Sequence, residues 1–115
     1  MALHHTLPIY KAAKQLLRLV LDLPKDMRKD AKFLIGRELL RESLAIMRLV
    51  RRANIAVDRA KVPHIDEILE KVQFIEDLVG ACDDARLVSK KQFAEVIEVS
   101  QSIGKQANGW KKTYV

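Results

Sequence analysis

Five arginines, Arg37, Arg41, Arg48, Arg52 and Arg59, recur at spacings of 4, 7, 4 and 7. A guanidinium grips a phosphate through two parallel hydrogen bonds, and each neutralised phosphate releases counterions. At 100° per residue of an α-helix the five fall within about 60° of one another. A helix through residues 37–59 would therefore offer a line of phosphate contacts. Arg51 flanks that line. Lys25, Arg28, Lys29 and Lys32 gather just upstream, where they would extend it. The plainer role for such a stripe is a solvated face with scattered ion pairs.

Other candidates for chemistry are weaker. Arg59 and His64 fit an R-x4-H spacing used by a class of helical ribonucleases, with the histidine as acid/base and the arginine on phosphate. Pro63 interrupts the helix that should present that pair. His4-His5 has no Cys, Asp or Glu beside it to complete a metal-ligand set. Cys82 falls on an apolar helix face, where a buried structural thiol is expected. Asp83-Asp84 and Glu76-Asp77 are sequence neighbours, and on a helix such neighbours point about 100° apart rather than converging. Dinucleotide, P-loop and zinc-protease motifs are missing. The expectation is a protein without catalysis, metal or cofactor.

Composition sets the frame for these residues. With 115 residues, six aromatics, four glycines and three prolines, the chain has too few turn formers for a β-protein. Leu, Ile, Val, Ala, Lys, Arg and Glu dominate, which favours an all-α fold in a single domain. No apolar run approaches the ~20 residues of a membrane span. The first residues, MALHHTLPIYK, lack the pattern of a signal peptide. One cysteine leaves no intrachain disulfide and fits a reducing, cytoplasmic setting.

The net charge of +6 is uneven. Residues 1–61 carry 14 basic and 6 acidic side chains, whereas residues 62–115 carry 7 and 9. Residues 64–86 alone hold 7 acidic and 2 basic ones. A basic half attracts a polyanion. An acidic third helix would instead neutralise the basic second one, within or between subunits.

Apolar periodicity predicts four helices, at about 8–23, 27–60, 64–85 and 90–111, after a loose tail over residues 1–7. Pro8 suits a first helical turn. Leu23-Pro24 ends the first helix, because a residue before proline resists the α region. Asp26 or Asp30 would cap or pre-charge the second. Lys61-Val62-Pro63 would end it. Ser89-Lys90-Lys91-Gln92 reads as a capping box for the fourth, and the last residues, KKTYV, as a frayed end. Short connectors predict antiparallel neighbours, an up-down-up-down bundle.

In the second helix Ile35, Leu39, Ile46, Leu49, Val50, Ala53 and Val57 oppose the arginines. Phe33, Leu40, Leu44 and Met47 widen the apolar arc beyond half the circumference. An arc that wide exceeds one bundle contact, so these four are expected at a homo-oligomer interface. Few aromatics are free to stack bases, so binding to nucleic acid would be electrostatic and weakly sequence-specific.

Several stretches carry a resemblance. They are Leu7-Pro8-Ile9-Tyr10, the break at Leu23-Pro24-Lys25, the Leu40-Arg41-Glu42-Ser43 region, the end of the second helix at residues 48–56, and FAEVIEVSQSIGKQANGWKK at residues 93–112. Together they resemble the four-helix-bundle family that includes the accessory variability determinant (Avd) of diversity-generating retroelements. Proteins encoded in intervening sequences of bacterial large-subunit ribosomal RNA genes belong to the same family. The NIAEG run of many ribosomal-type members is cut here to Asn54-Ile55-Ala56-Val57-Asp58, which favours the Avd branch. The resemblance implies a non-enzymatic homopentamer with a basic surface. Its implied partners are a reverse transcriptase and template RNA, and its implied role is mutagenic copying of a template repeat. The alternative is a structural oligomeric scaffold of the intervening-sequence type that does not touch nucleic acid.

Overall fold

The computed structural model describes residues 3–115. Four long helices make it all-α: α1 Pro8–Asp22, α2 Lys29–Ile55, α3 Val62–Asp84 and α4 Lys90–Lys112, with no strand among the described residues. Single 3-10 turns occupy His4–Thr6, Leu23–Asp26 and Asp58–Lys61. α1 packs on α2 and α4, and α3 packs on the same two helices. The body measures 45 × 20 × 19 Å.

Each helix contributes one apolar stripe to the core. Leu16 and Val20 of α1, Leu39 and Ile46 of α2, Ile68 and Ile75 of α3, and Val96 and Ile103 of α4 are all but fully buried. Burial of a Leu- or Ile-sized side chain contributes about 1.5–3 kcal/mol each, so this shared stripe holds the helices together. Polar cross-links fix how α2, α3 and α4 meet. Lys71 Nζ stands 2.9 Å from Glu42 Oε2, an ion pair outside hydrogen-bond alignment. The Ser100 hydroxyl donates to Glu76 at 2.7 Å. Lys111 meets Asp66 at 2.7 Å and Lys90 meets Asp83 at 3.0 Å.

Helix ends follow local chemistry, with several departures from the sequence expectation. Leu23 is α-helical (φ −57°, ψ −43°) although proline follows it; the chain tightens into a 3-10 turn that buries both Leu23 and Pro24. α2 enters with Arg28 at its N-cap and no side-chain cap, so neither Asp26 nor Asp30 caps it; Asp30 instead places charge in the first turn, as the other expectation had it, and its Oδ1 accepts from Ala31 N–H at 2.9 Å. α2 then stops at Ile55 rather than near residue 60, because Ala56 and Val57 are extended and Asp58 is left-handed at φ 51°. Pro63 does not terminate α2. It sits in the first turn of α3, where its missing N–H costs nothing. At the C-terminus, the 3-10 bonds continue to Tyr114, whose N–H donates to Lys111 O at 2.9 Å, so this end is engaged rather than loose.

Lys61 supplies the stop for α2. Its ammonium donates to Ala53 O at 2.9 Å and Asn54 O at 3.1 Å, two carbonyls that a helix end leaves unpaired. The same ammonium lies 5.9 Å from the Trp110 ring centre and 5.7 Å from that of Tyr114. The α4 capping box forms as the sequence indicated: Ser89 Oγ accepts from Gln92 N–H at 3.0 Å and Gln92 Oε1 accepts from Ser89 N–H at 2.9 Å. Of the expected tail, Met1 and Ala2 lie outside the described residues. His4–Thr6 forms a turn, with the His4 ring edge-on to Tyr10 at 5.0 Å.

Candidate nucleic-acid interface

α2 places the candidate arginines. Its buried residues, including Leu39, Ile46, Val50 and Ala53, turn one side towards the bundle. Arg37, Arg41, Arg48, Arg51 and Arg52 project from the opposite side and are exposed. Measured from Arg37, they span about 100° of the helix surface. Arg41 lies 4.0 Å from Glu38, a contact too long and exposed to neutralise it. Arg37, Arg48, Arg51 and Arg52 have no ion-pair partner among the described residues. An unpaired guanidinium group is chemically able to grip a phosphate through two parallel hydrogen bonds.

Arg59 departs from the expectation. It is exposed, but it stands in the Asp58–Lys61 turn beyond the end of α2, so the helical register of the stripe does not reach it. Instead it borders a pocket with Val62, Pro63 and Tyr114. His64 follows on α3, so Arg59 and His64 share no helix.

The upstream cluster is exposed but does not continue the line. Lys25 is held by Asp22 at 2.6 Å, and that hydrogen bond and charge keep its ammonium pKa above the ordinary value. Arg28 lies 4.0 Å from Asp30. Lys29 and Lys32 fall about 80° and 140° around the helix from Arg37. They form a separate basic entrance to α2, interspersed with Asp26 and Asp30.

The apolar arc also needs correction. Met47 is half-buried and packs against the core, so it extends the buried side. Phe33 is 68% exposed, and Leu40 and Leu44 are each 37% exposed. Leu44 falls about 20° from Arg37 on the helix surface, and Phe33 about 40°. These side chains stand among the arginines rather than opposite them. Leu34 and Ile55, 63% and 54% exposed, belong to the same face and were not singled out from sequence. Val57, expected in the core, is 72% exposed because α2 has already ended.

The acidic side of the molecule is α3. Glu67, Glu70, Phe74 and Asp77 share its outer surface and are exposed. Cys82 is buried, and the loss of solvation pushes its thiol pKa up. No cluster of three or more His, Cys, Asp or Glu suited to a metal ion occurs among the described residues. No helix among them is long and apolar enough to cross a membrane. Comparison of the chain with protein-family models, curated proteins and solved structures returns no match.

Proposed function

We propose that this chain is a non-enzymatic, cytoplasmic accessory protein that binds the backbone of RNA, or of an RNA/DNA hybrid, through the outer face of α2. The observation that carries the reading is the set of unpaired, exposed guanidinium groups at Arg37, Arg48, Arg51 and Arg52. A reverse transcriptase as partner, and assembly into a homopentamer, rest on the resemblance to Avd proteins alone.

The proposed frame is an up-down-up-down antiparallel bundle. Several contacts support opposed neighbours. Asp66–Lys111 and Asp83–Lys90 join α3 and α4 with their residue numbers running in opposite directions. Glu42–Lys71 and Asn54–Lys61 do the same for α2 and the chain entering α3. Ala12 lines a groove with Ser102, and Asp22 lines another with Gln92, which opposes α1 to α4.

A second reading is a structural scaffold that does not touch nucleic acid. It draws support from Phe33, Leu40 and Leu44, because a surface made only for phosphate has no use for exposed apolar side chains. Titration of labelled RNA across a salt series separates the two. Under the first reading, log affinity falls by roughly 0.7–0.9 per log salt for each phosphate neutralised. Arg48→Glu/Arg52→Glu should abolish binding while helicity and mass stay unchanged. A folded double variant that binds with the wild-type salt slope would leave the stripe a solvated face.

A further inference from the structure

The outer face of α2 is not uniform along its length. Its stretch 33–44 carries the exposed Phe33, Leu34, Leu40 and Leu44 with Arg37 and Arg41 among them and the partly exposed Glu38 4.0 Å from Arg41. Its second half carries Arg48, Arg51 and Arg52 with Ile55 as the one large exposed apolar residue. The two halves suit different occupants. Three arginines within five residues suit a polyanion. Four large apolar side chains framed by two cations suit a surface that is apolar at its centre and acidic around it.

The chain contains such a surface. On α3, Phe74 is 40% exposed. Glu67, Glu70 and Asp77 lie within about 80° of the helix surface together with it. Glu67 and Glu70 have no ion-pair partner among the described residues. Asp77 accepts only a neutral donor, Gln73 Nε2 at 3.0 Å. Asp66, at the edge, is already paired with Lys111. Lengths agree as well: residues 33–44 rise about 17 Å along α2, and residues 67–77 about 15 Å along α3.

We infer that the 33–44 half of the α2 face docks on the Glu67–Glu70–Phe74–Asp77 face of α3 in a second copy of this chain. Phe74 enters the apolar strip between Leu40 and Leu44, and Arg37 and Arg41 reach the carboxylates that flank it. The pair is head-to-tail, because each copy gives one face and receives the other. A copy's own two faces cannot meet, since α2 and α3 are packed side by side in the same bundle and both faces point outward. Docking takes Arg37 and Arg41 out of the polyanion-binding set and leaves Arg48, Arg51 and Arg52 free, so polyanion binding through those three remains compatible with it. This inference rests on the reading that the chain self-associates and is independent of nucleic-acid binding.

Complementation tests it. Full-length Leu44→Glu and Phe74→Glu chains are measured by light scattering after size exclusion, alone and mixed in equal amounts, with circular dichroism as the folding control. Both substitutions fall on exposed positions. The wild type should exceed the 13.1 kDa chain mass. Each variant alone should fall to a monomer. The mixture should recover one junction and run at twice the chain mass, because each variant keeps the face that the other has lost. The charge exchange Arg37→Glu/Arg41→Glu should likewise dissociate the assembly and be restored by partners carrying Glu70→Arg/Asp77→Arg. A wild type that stays monomeric at about 100 μM would overturn self-association as a whole. An assembling wild type with an unaffected Phe74→Glu, or a mixture that stays monomeric, would overturn this pairing alone.

Discussion

Arg86 holds a left-handed backbone, φ 58°, at the turn between α3 and α4. Leu87 N–H donates to Cys82 O at 2.8 Å and Arg86 N–H to Asp83 O at 3.0 Å. That pair of bonds is the Schellman close of a helix, which glycine usually serves. An L-residue there costs about 1–2 kcal/mol, and glycine returns part of this as extra freedom of the unfolded chain, about 0.4–1 kcal/mol. Arg86→Gly should therefore raise stability by about 0.5–1 kcal/mol. Thermal unfolding followed by circular dichroism should show a rise of a few degrees, and a fall would mean that the arginine side chain contributes a contact. Position 86 was not legible in the sequence, since nothing local marks a non-glycine residue as left-handed. The Ser89–Gln92 box was legible because both of its bonds join residues three apart. Gly104 and Gly109 invite the idea of close helix contact, yet a Cβ at either would meet nothing within 4 Å. Gly36 alone shows it: a Cβ there would lie 3.2 Å from Pro24 Cγ.

The same contrast between local and distant causes governs the elements. α1, α3 and α4 begin and end within two residues of the periodic pattern, because apolar spacing and nearby caps define them. α2 overran its true end in the sequence reading, because its stop is a lysine six residues past the last helical residue. Lys61 links three elements: it closes α2, precedes α3 and faces the ring of Trp110 in α4 and that of Tyr114 just beyond it. Lys61→Met keeps the stem over Trp110 and Tyr114 but removes both bonds to the α2 carbonyls. A charged hydrogen bond contributes about 1.5–3 kcal/mol when well buried, and this one is only part-buried. The expected loss is about 1–2 kcal/mol, read as a lower urea midpoint with an unchanged slope. An unchanged midpoint would show that water serves those carbonyls equally well.

At the scale of the molecule, the face that α2 shows to solvent depends on where α1 and α3 lie. Apolar residues cover more than half of that helix, so a helical wheel alone does not choose which of them face inward. Packing chooses: Met47 goes in, while Phe33, Leu40 and Leu44 stay out among the arginines. The all-α class and the core stripe were legible because they depend only on period. The mixed character of the outer face was not, because it depends on the neighbours. A basic face with apolar residues among its charges and an acidic face centred on Phe74 give the surface two opposed patches.

The order of packing sets a time as well as a shape. Among the described residues α1 packs on α2, α2 on α3 and α3 on α4, each across a connector of a few residues, while the α4–α1 seam joins distant parts of the chain. Loops this short cost little entropy to close, and chains rich in local contacts cross their folding barrier in microseconds to milliseconds. Stopped-flow refolding from urea should thus be complete near or within the dead time at low protein concentration. A slower phase that quickens as the protein concentration rises would report copies finding one another, and one indifferent to concentration would report the chain alone.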